Sequence, residues 1–431
     1  MALTATSATN VRWRLLGLAM AASFANQFNR ISMPVAADLR IMDRYAISPV
    51  EMGMIYSAFL LGYTVFMTPG GWLIDRLGPR LALSAMGLGS ALFVGLTGTA
   101  GLAFASGGVL WWALVGVRGA MGACSAPVFP ASAAFTRRWF PPGQRALANG
   151  LIVGASPLGV ALTYPAFGFL VRRFDWPVAF FFAAGVTAAL ALIWAWMAAD
   201  TPTDHPSTND AERVLTLGDP LEITLNAPDR GWRTILADRG LWLVTASYTA
   251  VGYFDFLFFY WMNYYFTTVL ALADAAWYAS LPPLAMALGI PLGGWASDRL
   301  AKARGSRARG WVAAGGMVAS AGFLLGGVLA KEPMAIVAWF SMALGAIGLS
   351  ESTFWVVAVD RGGSRGGTAA GLMNTGGNLG GMIAPALTPW VALRYGWSAA
   401  IALGGLIGLL GAACWLFVPS PSKPMVGPQD A

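Results

Sequence analysis

Four ionisable residues lie inside long apolar stretches of this 431-residue sequence: Arg30, Arg118, Asp255 and Glu351. A charge at the centre of a lipid bilayer costs at least about 2.5–3.5 kcal/mol, so we predict a functional role and a nearby partner for each of these residues. The planar guanidinium group of arginine binds a carboxylate through two parallel hydrogen bonds. Arg30 and Arg118 therefore predict a site for a carboxylate-bearing molecule. The alternative is that an acid pairs with an arginine, as Glu351 with Arg30, and only locks two helices together.

Polar and aromatic residues recur at helical spacing around these charges and complete the predicted site. Tyrosine and tryptophan can equally mark the membrane interface, but Asn374 and Asn378 lie in mid-span between glycines. The residues predicted to bind substrate are Arg30, Arg118, Tyr63, Asn29, Ser156, Tyr260, Trp261, Ser352, Trp355, Asn374 and Asn378. For Asp255 and Glu351 we predict charge compensation or coupling of transport to an ion.

The composition predicts that these residues are positioned by membrane-spanning helices. Hydrophobic residues make up 57% of the chain and charged residues 11%, against about 45–50% and about 25% in soluble domains. A helix needs roughly 20 apolar residues to cross a bilayer, and lipid leaves the backbone no other conformation here. The twelve predicted spans cover residues 14–37, 51–73, 81–104, 108–136, 147–171, 177–198, 241–270, 275–297, 310–330, 334–359, 367–393 and 398–418.

The net charge of +7 is explained by topology and not by nucleic-acid binding. Arginine and lysine concentrate in the loops on the N-terminal side of the predicted spans, and the positive-inside rule makes that side cytoplasmic. Both termini and the long central loop are then cytoplasmic, which requires an even number of spans. The first apolar run is interpreted as a retained span and not as a cleaved signal peptide.

An internal repeat predicts two halves of six helices each. Gly71–Arg76 after the second span recurs as Gly294–Arg299 after the eighth, which is typical of duplicated transporters. The predicted domains are an N-terminal half over 1–198, a cytoplasmic linker over 199–240 and a C-terminal half over 241–431.

The repeated motif also predicts a gate at the cytoplasmic face. A cluster of charges at helix ends can latch that face in one state and release it in the other. The predicted gating residues are Asp75, Arg76, Arg80, Asp298 and Arg299. A tight turn that anchors the helices is the alternative.

Several motifs together resemble the anion:cation symporter family of the major facilitator superfamily. They are Asn26–Arg30, Pro69–Arg76, Arg118 with Ala126–Pro130, Asp200–Glu212 and Gly367–Gly381. The resemblance covers most of the chain. It implies that Arg30, Tyr63, Arg118 and Asn374 contact a substrate anion such as a sugar acid or an aromatic acid.

Two positions depart from that family. Its members commonly carry proton-accepting acids immediately before the span-one arginine and seven residues after the span-four arginine, where this sequence has Asn29 and Ser125. The resemblance therefore does not imply proton symport for this chain, and uniport or sodium coupling is the alternative. Asp255 and Glu351 are the hypothesised replacements, or they bind a cationic or zwitterionic substrate.

The predicted fold class is an all-α membrane protein with twelve transmembrane helices in two pseudo-symmetric halves, the major facilitator fold. The predicted function is secondary active transport of a small organic anion by alternating access. A proton-driven exporter of the same fold and a membrane sensor are the alternatives. No enzymatic grouping, metal site or cofactor is expected. The predicted partners are the substrate anion, a proton or sodium ion and the lipid bilayer, for a monomer in the inner (plasma) membrane.

Overall fold

The computed structural model describes residues 7–126, 128–217, 232–362 and 366–419, which form helices and loops without a β-strand among them. The helices of this part are α1 (Val11–Ala36), α2 (Met42–Tyr45), α3 (Pro49–Ala103), α4 (Gly107–Ser125), α5 (Val128–Trp139), α6 (Pro142–Phe174), α7 (Trp176–Met197), α8 (Asp210–Leu217), α9 (Trp232–Ala237), α10 (Arg239–Tyr264), α11 (Ala275–Arg304), α12 (Arg309–Leu329), α13 (Pro333–Gly362), α14 (Gly366–Tyr395) and α15 (Trp397–Cys414). The prediction of an all-helical chain is confirmed for these residues.

Ten helical stretches within the described residues are long and apolar enough to cross a membrane. α3, which breaks at Gly78, supplies two of them, Pro49–Met67 and Arg76–Ala103, and α4 with α5 supplies one. α1 and α14 are not among the ten, although their 26 and 30 residues make them about 39 and 45 Å long. These two helices carry the polar residues of predicted spans one and eleven, such as Arg30 and Asn374. The count of twelve spans stays a prediction.

The break in α3 has a backbone cause. Gly78 has φ +77°, a conformation that favours glycine, and a Cβ there would collide with the Asp200 carboxyl group. The Arg80 backbone N–H donates to Asp200 Oδ1 at 2.9 Å, and its guanidinium donates to the Ala195 carbonyl at 2.8 and 3.1 Å. The turn therefore fastens the loop after the second span to the end of α7.

The helices form two groups that meet along three pairs. Helices α1–α7 pack mainly among themselves, as do α10–α15, and we name them the N-terminal and C-terminal groups. They meet chiefly through α3 with α14, α6 with α11 and α1 with α10. At Gly53 of α3 a Cβ would overlap the Pro385 carbonyl of α14, so glycine permits this close approach.

Most hydrogen bonds between the two groups lie towards the face opposite the N-terminus, which we name the outer face. Asn263 Nδ2 donates to Asp38 Oδ2 at 2.7 Å at the outer ends of α10 and α1. The other outer bonds join Ser57 to Met382, Tyr164 to Phe259 and Ser280 to Ala161 at 2.7–2.9 Å. The structure is therefore a state in which the outer face is closed.

The start of the central linker is attached to the beginning of α1. Glu212 of α8 is completely buried and accepts hydrogen bonds from the Val11 and Arg12 backbone N–H groups, the Arg12 guanidinium and the Thr9 hydroxyl. A carboxylate at a helix N-terminus is also stabilised by the helix dipole. Because α1 carries Arg30, this attachment fixes one end of the helix that positions it.

Candidate functional site

Arg30 lies where the two helix groups meet. It is only 4% exposed, and its Nε donates a hydrogen bond to the Tyr260 hydroxyl of α10 at 3.2 Å. Its Nη2 is buried and has no hydrogen-bond partner among the described residues. The ion pairs formed by the described residues do not include Arg30. The guanidinium therefore has a donor available for a ligand.

Aromatic rings surround the Arg30 guanidinium. Its Cζ lies 4.2 Å from the ring centroid of Phe256, 5.1 Å from that of Phe59 and 5.7 Å from that of Tyr63. A cation over an aromatic face gains about 0.5–2 kcal/mol. Phe59 and Tyr63 on α3, like Phe256 and Tyr260 on α10, are four residues apart and share a helix face. Phe59 and Phe256 were not among the predicted residues, although this spacing relates each to a predicted tyrosine.

Arg118 holds the backbone of α1 behind Arg30. It is 1% exposed, and its Nη1 and Nη2 donate to the carbonyls of Asn29 at 3.2 Å and Arg30 at 2.8 Å. Pro34 has no N–H, so the Arg30 carbonyl four residues earlier lacks its usual helical donor. Arg118 supplies the missing donor. These bonds favour a positioning role for Arg118 in this state. Its Nε is buried without a partner among the described residues, and the predicted contact of Arg118 with the substrate stays a prediction.

Two acids form a second polar cluster, on the C-terminal group. Glu351 Oε1 accepts hydrogen bonds from the Tyr248 hydroxyl at 2.5 Å and from Trp355 Nε1 at 3.1 Å. Glu351 Oε2 and Asp255 Oδ1 are buried without a hydrogen-bond partner within the described residues. Neither acid belongs to an ion pair formed there. The predicted alternative, an Arg30–Glu351 lock, is therefore not formed in this state.

The family follows from a comparison with known proteins. The family model described as Major Facilitator Superfamily matches residues 16–385. The chain belongs to the major facilitator superfamily. It is therefore a multi-pass membrane transport protein and not an enzyme, and the predicted resemblance to this superfamily is confirmed.

Relatives of this major facilitator protein match over nearly its whole length. A probable sulfoacetate transporter of Cupriavidus necator is 28% identical over 94% of each chain. A probable galactarate/D-glucarate transporter of Bacillus subtilis is 26% identical over 97% of this chain and 94% of its own. A D-galactonate transporter of Escherichia coli is 26% identical over 92% of each chain. Each of these relatives is named as a transporter of an organic anion.

A solved structure supports the fold of this transporter. The bacterial homolog of the human lysosomal transporter Spinster superposes with a TM-score of 0.75, over 96% of this chain and 98% of its own. Its sequence identity of 16% makes this a likeness of fold alone.

Other predicted substrate residues of the transporter make bonds within their own helix group. Asn29 Nδ2 donates to Thr187 Oγ1 at 2.7 Å, and Ser352 Oγ donates to the Ile290 carbonyl at 2.9 Å. Asn378 Nδ2 donates to the carbonyl of Asn374 at 2.9 Å. The structure does not bring these three side chains to Arg30.

The remaining predicted residues occupy three different places. Trp261 Nε1 donates to the Pro385 carbonyl at 3.1 Å, near the closed outer face. Asn374 Nδ2 lies 3.6 Å from Met67 Sδ across the two groups. Ser156 is buried, and its hydroxyl has no partner in the described part of the chain.

Asn29 and Ser125, where the resemblance to symporters led us to expect acids, carry neutral side chains. Asn29 bonds to Thr187, as described above, and the Ser125 hydroxyl lies 3.3 Å from that of Ser90. Both residues are buried. Since neither side chain ionises in the physiological range, any proton coupling in this transporter must use other groups.

The predicted gating residues bond within their own helix group where their contacts are described. Arg80 is fastened to α7, Asp298 Oδ1 accepts a hydrogen bond from Arg309 at 2.7 Å, and Arg299 Cζ lies 5.4 Å from the Trp295 ring centroid. The Arg76 side chain is exposed, and that of Asp75 lies outside the described residues. Within the described part of the chain, these contacts of Arg80, Asp298 and Arg299 do not cross between the two groups, as expected when the outer face is the closed one.

Proposed function

We propose that this transporter carries a small organic anion and that Arg30 binds its acidic group. The observation that supports this most strongly is a buried guanidinium with an unpartnered Nη2 and no acidic partner among the described residues. A charged donor left without a partner inside a protein is costly, and an anion would remove that cost. The names of the relatives, which contain sulfoacetate, galactarate and galactonate, agree with this class of cargo.

The position of Arg30 connects cargo binding to the conformational change. Its hydrogen bond to Tyr260 joins the two helix groups, so an anion at Arg30 would contact both. A ligand shifts a conformational equilibrium only by its different affinity for the two states. We propose that residues 1–198 and 241–431 are the two moving halves, joined by the linker over 199–240.

We propose that the protein lies in the inner membrane as a monomer with both termini in the cytoplasm. The positive charge on the N-terminal side of the spans supports this orientation. The closed outer face is then the one away from the cytoplasm, and the structure corresponds to the state that exchanges cargo with the cytoplasm.

For Asp255 and Glu351 we propose that their charges compensate those of Arg30 and Arg118. A binding site with two uncompensated guanidinium groups would hold an anion too tightly to release it. Two carboxyl groups on the opposing group reduce that attraction without forming an ion pair.

Uptake into proteoliposomes tests the proposed function. Radiolabelled sugar acids and aromatic acids, and separately lipophilic cations, are supplied to vesicles with and without the purified protein. We expect saturable, protein-dependent uptake of at least one acid. Transport of the cations alone would instead establish an exporter, and the absence of any flux would favour a sensor.

The coupling ion is tested with Asp255→Asn and Glu351→Gln. If either carboxyl group carries the coupled proton, a proton gradient that accelerates uptake by the native protein has no effect in that variant. Exposed Glu332→Gln is the matched control and should keep the native response. Unchanged gradient dependence in both variants would exclude these acids from coupling, and a requirement for sodium would identify the other ion.

A further inference from the structure

Two carboxyl groups of the C-terminal group have buried hydrogen-bond acceptors without partners among the described residues. Asp255 Oδ1 and Glu351 Oε2 are both buried and unpartnered among the described residues, while Arg30 Nη2 is a buried, unpartnered donor on the opposing helix. Buried polar groups in proteins nearly always have a partner. A cargo that supplied partners to all three atoms would carry an acceptor group at one end and donors elsewhere.

The relative heights of these groups follow from α10. A helix rises 1.5 Å per residue, so Asp255 lies about 7.5 Å along the axis from Tyr260, which bonds to Arg30. Tyr248, which bonds to Glu351, lies about 10 Å further towards the inner face. The Arg30 guanidinium also contacts Phe256, the residue next to Asp255. A molecule of a few carbon atoms would therefore reach from Arg30 towards Asp255.

Both protein hydrogen bonds to Glu351 go to one of its two carboxyl oxygens. The Tyr248 hydroxyl donates to Oε1 at 2.5 Å. Trp355 donates to the same oxygen. Both protein donors thus occupy Oε1 and leave Oε2 to accept from another molecule.

We propose that the cargo carries one acidic group together with hydrogen-bond donors, as a hydroxy acid or a zwitterionic amino acid does, and that molecules with a second acidic group are rejected. This inference rests on the proposed function. The acidic group of the cargo accepts a hydrogen bond from Arg30, and its hydroxyl or ammonium groups donate to Asp255 Oδ1 and Glu351 Oε2. A second acidic group would face two carboxyl groups, and juxtaposed like charges are an effective means of rejecting a ligand.

The test compares matched ligands by thermal stabilisation of the detergent-purified transporter, since a ligand raises the unfolding temperature of the state that it binds. Galactonate and galactarate differ only in a terminal hydroxymethyl or carboxylate group, and serine and aspartate likewise exchange a hydroxymethyl for a carboxymethyl group. Lactate and propionate differ in one hydroxyl. For each pair whose members bind, we expect galactonate, serine and lactate, which carry one acidic group and hydrogen-bond donors, to act at a concentration at least about tenfold lower than their counterparts.

The acid variants show whether Asp255 and Glu351 cause the discrimination. We expect Asp255→Asn and Glu351→Gln to bring the affinities for galactonate and galactarate closer together, and exposed Glu332→Gln to leave their ratio unchanged. Equal or tighter binding of the dianion by the native protein would overturn the inference, even if a variant failed to fold. The inference would also be overturned by an unchanged ratio in both folded variants, or by propionate binding as tightly as lactate. In each of these cases the proposed anion transport still stands. If no acid binds at all, the proposed function itself fails.

Discussion

Replacing Arg30 with alanine is expected to lower the apparent affinity for the cargo by about 30- to 1,000-fold, because a charged hydrogen-bonding group at a buried contact contributes roughly 2–4 kcal/mol. Arg30→Lys is expected to lose most of that affinity as well. Lysine retains the positive charge, but its ammonium is a point charge without the planar fork that binds both the Tyr260 hydroxyl and a carboxylate. Uptake at a series of cargo concentrations in proteoliposomes gives KM and maximal rate for each variant.

Arg44→Lys is the matched control for Arg30→Lys. Arg44 forms an exposed ion pair with Asp175 at 2.7 Å, and surface pairs contribute little. Asp175 holds the pKa of Arg44 above its ordinary value, and a lysine at this position is also charged near neutral pH. The control therefore changes only the geometry of the cation. Native transport by Arg30→Ala would contradict the assigned role of Arg30.

Arg118→Met is expected to reduce both stability and affinity, and Pro34→Ala is expected to restore part of each. The methionine leaves the Arg30 carbonyl without a donor, which costs about 1–3 kcal/mol in a buried site. Alanine at position 34 restores the backbone N–H that proline lacks, so the helix can satisfy that carbonyl itself. Thermal unfolding and cargo affinity are measured for both single variants and for the double variant.

The double variant distinguishes the two possible roles of Arg118. If Arg118 positions Arg30 through the α1 backbone, the double variant recovers affinity relative to Arg118→Met. If Arg118 bound the cargo directly, as the sequence analysis predicted, a new N–H in α1 would recover stability without affinity. That second result would contradict the positioning role.

The fold was predictable because membrane insertion is decided by local composition. Runs of about 20 apolar residues predict helices wherever they occur, and the described helices follow them. The same reasoning found Arg30 and Glu351, since each is a charge inside such a run. α1 and α14 show the limit of this reasoning, because the polar residues that suggest a site also lower the apolar character by which spans are recognised.

The partners of the site residues were less predictable, because they depend on contacts between distant segments. Nothing local places Tyr248 beside Glu351 or Phe256 beside Arg30, across 103 and 226 residues respectively. The role of Arg118 had a local signal that was not used. Pro34 lies four residues after Arg30, so its missing N–H already predicts a carbonyl that needs a donor from another helix.

The departures at Asn29 and Ser125 were visible in the sequence, and the structure shows what those side chains do instead. Each bonds to a hydroxyl of a neighbouring helix in the N-terminal group. They therefore contribute to packing behind the site and supply no ionisable group to it.

The binding of an organic acid compared with its neutral amide most directly tests the claim that Arg30 binds the acidic group of the cargo. Isothermal titration gives the dissociation constants of the best-bound acid and of its primary amide, for the native transporter and for Arg30→Ala. We predict that the acid binds the native protein much more tightly than the amide and that this preference disappears in Arg30→Ala. A preference for the acid that persists undiminished without Arg30 would show that the anion is recognised elsewhere.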